Sequence, residues 1–555
     1  MKYWLLTTVY TSDGDTDIGM YVKEHADIFA ANGHEVLIIH GRKENTDNVT
    51  NISDKIRLYT FSLNGRESTK FMGPDAALSF EFANEVIKLL AVDTPDVIET
   101  QEYLGIGYYL LLRKYAGEPL LKNIPVIVTS HMPSFIIHAH NHSPAFRFPQ
   151  YWTGEMEKFS ILAADLHISP NRLLTQLLKQ QMPEAYLKQT HHIPYPFRAT
   201  SHIATMLPLT EDDICSPENF YSTKYKIVTD LIATSIASKE LPVLRPQPKH
   251  LPVKPGMLED GLTIVIPYYN MGAFVGESVE SVLASSYKNI KIIIIDDGST
   301  DAESIKMLKN IQEKYPAIDI IRQSNGGLSS ARNTGLSNAK SKYIIFLDPD
   351  DTVHPDYFQR CISILDRYEN ISFVSCWLKY FGAEEGIWPA QNPEVPYLLY
   401  HNTVHSGCLF KTFDILQTGG YDRSLVYGME DYEMAINMVS KGYHGFTIPE
   451  ALYNYRIREQ SMARGFTDDK KLYLYSLISQ KHKTLFDKYG AECVNILNAN
   501  GPGYMHDNPT FPSRFTKKFT SRTGVGRAIV EAVFDKYPRL HKLAIGLRSK
   551  MRNGQ

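Results

Sequence analysis

Cysteine is scarce in this chain: five in 555 residues, at positions 215, 361, 376, 408 and 493. The number is odd, the positions are scattered, and no two form a CxxC pair. That excludes a zinc ribbon and a disulfide scaffold, and it favours a reducing compartment. Long apolar runs are lacking too, since none approaches the ~18–20 residues needed to span a bilayer. Neither sign of charge dominates: 58 Lys+Arg stand against 61 Asp+Glu, a formal net charge of -3. Such a balance argues against a protein whose work is coating nucleic acid. No small-residue cleavage site follows Met1-Lys2-Tyr3-Trp4-Leu5-Leu6, so the opening reads as a first strand and not as a signal peptide. Neither Gly105-Ile106-Gly107 nor Gly524-Val525-Gly526 has the third glycine that a dinucleotide fold requires. What is present is 43% hydrophobic and 21% charged residues, ample for packed cores and unlike disordered or collagen-like chains. At ~100–200 residues per domain, the length corresponds to about three units. The bulk reading is a soluble, cytoplasmic, multidomain α/β protein.

The chain divides into four parts. Residues 1–200 alternate short β-rich runs (Trp4–Tyr10, Glu35–His40, Asp96–Glu99, Pro125–Ser130) with helical stretches such as Tyr21–Asn32. Strands separated by helix-length segments imply βαβ units and a parallel sheet. Asn32-Gly33-His34 is a helix stop, with Gly33 supplying a positive φ. Residues 201–258 are of mixed helical character and end in LPVLRPQPKHLPVKPG, the composition of a semi-rigid linker. Residues 491–555 form a tail that is basic from Arg514 onward, with eleven Lys/Arg against Glu531 and Asp535. There Leu540, Leu543, Ala544, Leu547 and Met551 fall at helical spacing, largely clear of the basic positions. A basic amphipathic helix of this kind can lie on an anionic membrane surface, or dock on the protein with its basic face in solvent.

Residues 259–490 carry the chemistry. Strand Thr263–Ile266 leads into Pro267-Tyr268-Tyr269-Asn270, and the isoleucine-rich strand Lys291–Ile295 into Asp296-Asp297-Gly298-Ser299. After Ile318–Gln323 and a helix starting near Ser329, the strand Tyr343–Leu347 ends in Asp348-Pro349-Asp350-Asp351. Both acidic clusters thus fall at the carboxyl ends of predicted parallel strands, the edge where open α/β sheets bind ligands. Carboxylates two residues apart on a loop can hold Mg²⁺ or Mn²⁺ and, through the metal, a diphosphate; alone, DPDD is also an ordinary acidic turn. Further on, Glu430-Asp431 opens an amphipathic helix, where the macrodipole favours acids for purely structural reasons.

Taken in order, TIVIPYYN, IIIIDDGSTD, NGGLSSARNTGL, YIIFLDPDD and GGYD…GMEDYEMA with YNYRIREQSM resemble the inverting glycosyltransferases of family 2, over residues 261–465. The resemblance implies a nucleotide-sugar-binding GT-A domain. It implies that Pro267 and Tyr269 lie against base and ribose, and that Asp297 accepts a hydrogen bond from the base. Asp348 would face ribose or sugar, and Asp350 would hold the metal. Arg332 would border the donor pocket, with a surface salt bridge as its alternative. Asp431 would be the catalytic base, and Glu430 would help to orient acceptor or base. UDP is the expected nucleotide, although dTDP presents a similar edge. Many relatives carry a histidine where this chain reads Tyr455-Arg456-Ile457-Arg458, and Arg458 can contact the diphosphate instead.

Residues 1–200 resemble, in LLTTVY, IGMYVKEHADIFAANGHEVLIIH, PDVIETQE, VIVTSH and AADLHISPNRLL, the N-terminal half of family 4 glycosyltransferases of GT-B fold. No second Rossmann-like half follows, which implies a noncatalytic role in positioning an acceptor or in oligomerisation. The whole therefore reads as a metal-dependent hexosyl or N-acetylhexosaminyl transferase of surface-polysaccharide assembly. Its partners would be a nucleotide-sugar donor and a glycan or lipid-linked acceptor, with no nucleic acid, at the inner face of the membrane. The alternatives are a bifunctional transferase with a second active site in the N-terminal part, and a carbohydrate-binding scaffold.

Overall fold

The computed structural model describes residues 1–10, 17–42, 48–141, 145–182, 190–197, 207, 209–234, 239–248, 258–458 and 467–500. The basic stretch 514–555 therefore lies outside the described residues. Two sheets organise the rest. The first comprises β1 (Lys2–Thr7), β2 (Glu35–Arg42), β3 (Asn48–Asn51), β4 (Ile56–Ser62), β5 (Val97–Gln101), β6 (Val126–Thr129), β7 (Leu166–Ser169) and β8 (Thr190–His192). Its order is β3-β4-β2-β1-β5-β6-β7-β8, and every pairing is parallel except β3 with β4. Alternation along β1 shows why the strands read as nearly unbroken apolar runs. Trp4 and Leu6 pack into one buried cluster while Tyr3 and Leu5 pack into another, so both faces are covered. The result is a Rossmann-like unit. Gly33, at φ 88, ends the helix Asp17–Ala31 and turns the chain into β2.

Part of the segment read as linker belongs to this unit. The helix Pro217–Thr234 docks on the first sheet and inserts Lys224, fully buried, with Nζ 2.8 Å from Glu99 Oε2. Nothing local in the sequence marks this, because the partner lies 125 residues upstream. The proline-rich stretch begins after that helix. Its described residues lie between the two units: Arg245 forms a two-pronged pair with Glu155 (2.5 and 3.0 Å), and the Leu241 N–H donates to Asn370 Oδ1.

The second sheet comprises β9 (Glu259–Tyr268), β10 (Ile290–Asp296), β11 (Asp319–Arg322), β12 (Ser341–Phe346), β13 (Thr352–Val353), β14 (Ile371–Gly382), β15 (Gly386–Trp388), β16 (Leu409–Lys411) and β17 (His444–Ile457). Its order is β11-β10-β9-β12-β16-β14-β17-β13, with β15 paired to β14. The β11-β10-β9-β12 half is parallel, whereas β16 is antiparallel to both β12 and β14. This is a GT-A-like arrangement. Trp377 of β14, 3% exposed, packs against Phe71, Phe80 and Tyr109 of the first unit with ring centroids 5.1–6.3 Å apart. One buried apolar cluster accordingly runs through both units, from Trp4 and Phe82 to Ile264 and Trp377. Among the described residues, no helix is long and apolar enough to cross a membrane.

Candidate functional site

Three parallel strands bring their carboxyl ends to one edge. β9 delivers Pro267 and Tyr268, with exposed Tyr269 beyond it; β10 ends at Asp296, beside Asp297; β12 leads to Asp348. The two aspartates of the β10 cluster do different work. Asp296 is structural, accepting from the Ser299 N–H at 2.9 Å with Arg322 Nε 3.5 Å away. The Asp297 carboxylate is held from three sides, by Gln323 Nε2 (2.7 Å) and by the N–H groups of Gly326 (2.9 Å) and Gly327 (2.8 Å). Gln323 is a site residue that the motif order did not single out.

Arg332 sits in the helix Leu328–Asn338 and is 0% exposed. Its Nη1 lies 2.5 Å from Glu430 Oε1 and its Nη2 2.8 Å from Asp348 Oδ1, and its guanidinium stands 5.2 Å over the Tyr421 ring. A surface salt bridge is thereby excluded, because the side chain is an internal tie between the DPDD loop and the Glu430-Asp431 helix. Burial works against the Arg332 charge, but Asp348 and Glu430 outweigh it and raise its pKa well above the ordinary value. Next along the helix, Asn333 donates to the Tyr421 carbonyl and accepts from the Tyr421 N–H. A Cβ on Gly420 (φ 79) would come within 2.5 Å of Asn333 Oδ1, so the turn packs against this helix with no room for a side chain at position 420.

The helix Glu430–Ser440 starts from Met429, held at φ 62, a left-handed conformation that costs a non-glycine residue about 1–3 kcal/mol. Such strain persists where the surroundings over-determine the chain, and here it aims Glu430 and Asp431 at the cavity. Burial, then the neighbouring Glu430 charge, push the Asp431 carboxyl up to about 7 against the opposing pull of Arg332.

The DPDD carboxylates differ among themselves. Asp348 Oδ2 accepts from Ser406 Oγ at 3.1 Å. Asp350 lies 2.6 Å from Arg458 Nε; burial and Asp348 raise its pKa while Arg458 lowers it. Asp351 is turned inward, accepting from the Tyr453 hydroxyl (2.9 Å) and the Arg456 N–H (2.8 Å). Burial and its two neighbours push it toward the neutral acid. That leaves Asp348 and Asp350 as the pair of hard oxygen donors at the cavity.

All nine residues singled out above line a single cavity of about 890 Å³: Pro267, Tyr269, Asp297, Arg332, Asp348, Asp350, Glu430, Asp431 and Arg458. His405 and Ser406 line it as well, and no sequence signal marked them. The His405 ring is kept neutral by burial, its pKa lowered to about 3. By contrast, the crevice between the two units, walled by Tyr108, Tyr151, Trp152 and Tyr397, has a volume of about 30 Å³, room for little more than water.

Comparison with known proteins places this geometry. Residues 263–428 match the glycosyl transferase family 2 model, and residues 18–194 match the glycosyltransferase family 4 model. Glycosyltransferase GlyA of Streptococcus pneumoniae is 29% identical over 241 residues, 38% of this chain and 33% of that protein. The minor teichoic acid biosynthesis protein GgaB of Bacillus subtilis is 30% identical over 230 residues, 39% of this chain and 25% of that protein. The chain thus spans a third or less of the length of these two relatives. Among solved structures, S. aureus TarS 1-349 in complex with UDP-GlcNAc overlaps 44% of this chain and 69% of that one. Its identity is 18% and its TM-score 0.35, a likeness too slight to bear on function.

Proposed function

We propose that this chain, which carries a family 2 glycosyl transferase domain at residues 263–428 and a family 4 domain at residues 18–194, is a glycosyltransferase. It would move a sugar from a nucleotide-linked donor to an acceptor hydroxyl in the assembly of a cell-surface polysaccharide. The observation that carries this reading is the convergence of nine residues from separate segments on one cavity of about 890 Å³. Its two ends suit two tasks. Tyr269, 46% exposed, offers a ring face to a base, and Asp297, fixed by Gln323 and two backbone N–H groups, can accept from the base edge. At the other end Asp431, with a pKa of about 7, is matched to accepting a proton near neutral pH.

The residues then divide the reaction. Asp431 takes the proton from the acceptor hydroxyl as that oxygen attacks the anomeric carbon, and the nucleoside diphosphate leaves from the opposite face with inversion. Glu430, tied through Arg332 to Asp348, keeps the base in register with the donor-binding loop. Arg458 presents a planar cation to the diphosphate. The donor set fits a divalent metal, because Asp348 and Asp350 supply hard oxygens, and burial followed by the Asp348 charge already raises the Asp350 pKa. Mg²⁺ or Mn²⁺ held there would offset the charge of the departing diphosphate. Asp297 suits the imide N–H that uracil and thymine share, with UDP as the expected nucleotide, and the acceptor is a glycan or lipid-linked one, in keeping with the likeness to a minor teichoic acid biosynthesis protein.

Calorimetry with UDP and Mn²⁺ tests the donor half. Binding by the full chain, weakened at least ~10-fold in Asp350→Ala and in Asp297→Ala, is the expected result. Unchanged affinity in both variants contradicts it.

A further inference from the structure

The cavity has a second wall that the donor-binding residues do not occupy. Beyond β16 the sheet continues into β14, β17 and the short β15. Leu378 pairs directly with Trp388 across β14 and β15, and Tyr380 with Tyr455 across β14 and β17. Residues opposite each other in register share a face, and residues two apart on one strand do too. These four side chains therefore project together, and all four line the cavity. The Tyr380 and Tyr455 rings meet edge-on with centroids 6.0 Å apart. Tyr380, Trp388 and Tyr455 are each only half-buried, so ring surface is left open to the cavity. From the opposite side of β14, Trp377 is clamped between Phe71, Phe80 and Tyr109. The N-terminal unit thus braces this wall from behind.

We propose that the Tyr380–Trp388–Tyr455 wall is the acceptor subsite and that it binds a pyranose ring. The inference rests on the donor reading above and deepens it. A pyranose has an apolar C–H face and a rim of hydroxyls, and the wall offers both complements: aromatic planes, with Glu384 and Asn402 lining the same cavity. A phosphate-bearing headgroup needs cations of its own, and those of the cavity stand against the DPDD and Glu430 carboxylates, where Arg458 is assigned to the donor diphosphate. Arg332 is paired with Asp348 and Glu430, Arg458 with Asp350, and Arg456 with Glu277 and the Asp350 carbonyl. The wall adjoins the donor side through β17, because Tyr455 lies between Tyr453 and Arg456, which both bond Asp351. Tyr380 and Trp388 stand on β14 and β15, away from the ends of β9, β10 and β12, and Asp431 borders the cavity that both sides share.

The test uses the full chain, UDP with Mn²⁺, and methyl glycosides of glucose, galactose, N-acetylglucosamine and rhamnose. Saturation-transfer NMR on the UDP-loaded protein should show transfer to the ring C–H protons of at least one glycoside. Its affinity should fall about tenfold in Trp388→Ala and in Tyr380→Ala. It should be kept in Trp388→Phe and in Lys379→Ala, a change at an exposed position on the Trp377 side of β14. UDP affinity, which also reports that each variant is folded, should not change. Undiminished transfer in the Trp388→Ala, Tyr380→Ala double variant overturns the subsite, as does wild-type protein that binds UDP but none of the glycosides. Wild-type protein that fails to bind UDP overturns the donor reading, and the subsite with it.

Discussion

Asp431 should be ionised to accept a proton, so the acid limb of the pH profile of kcat/KM should fall at about pH 7, where burial and Glu430 have pushed its carboxyl. With half the carboxylate ionised at pH 7 and about one-eleventh at pH 6, the rate should drop roughly fivefold between them. Two substitutions should move this limb in opposite directions. Glu430→Gln removes the charge that raises Asp431 and frees Arg332, so the limb shifts to lower pH. Arg332→Met removes the charge that lowers Asp431, so the limb shifts to higher pH. Each shift should be on the order of one unit, the usual size for a neighbouring charge. Arg332→Met also leaves the buried Glu430 without its cation, at about 3–5 kcal/mol of stability. The assay therefore uses protein shown to be folded by UDP binding. Arg332→Lys serves beside it, since an ammonium can reach one carboxylate but not both and should give a smaller upward shift. A limb that stays put in both variants, or moves the same way in both, refutes the reasoning.

Other consequences follow from packing. Lys224→Ala strands a fully buried Glu99 and should cost about 3–5 kcal/mol, read from the denaturation midpoint of the N-terminal transition. Burial raises the Glu99 pKa, but Lys224 and His25 overcome it and draw it down to about 2. Its stabilisation should therefore be complete above pH ~4.5 and lost as pH falls toward 2. Burial also lowers the Lys224 pKa, a shift that acts at alkaline pH; His25, His131 and His167, which burial holds neutral, add to the acid limb, so the Glu99 share is read as the part that Lys224→Ala removes. Trp377→Ala empties the space among Phe71, Phe80 and Tyr109 and should cost about 3–5 kcal/mol; an unchanged melting temperature would deny that the units share a core. Gly335→Ala would bring a Cβ within 2.2 Å of Val265 Cγ1 and should destabilise by about 1–3 kcal/mol in the same measurement.

Much of this architecture is legible in local pattern. The isoleucine run before Asp296-Asp297 and the apolar strand before Asp348-Pro349-Asp350 are both buried parallel strands ending in acid, and the structure has them side by side with β9. The Gly33 cap is equally local. What sequence does not display is who meets whom. Arg332 is tied to partners 16 and 98 residues away, and the choice between internal tie and surface pair depends on burial that no neighbouring residue encodes. Gln323, just past β11, joins the site through its bond to Asp297, and His405 joins it from the loop before β16. Lys224 looks like any helix-surface lysine, which is why the helix bearing it reads as linker. Trp377 and Trp388 lie on opposite faces of one hairpin, a separation visible only once the register of β14 with β15 is known.

Whether Asp431 is the base of a sugar transfer carried out in this cavity is read from UDP release with a panel of UDP-sugars and Mn²⁺, comparing wild-type protein with Asp431→Asn alongside calorimetric UDP binding. Turnover should fall by ~10²–10⁴-fold in the variant, with UDP affinity unchanged. Near-normal turnover by Asp431→Asn would contradict that role.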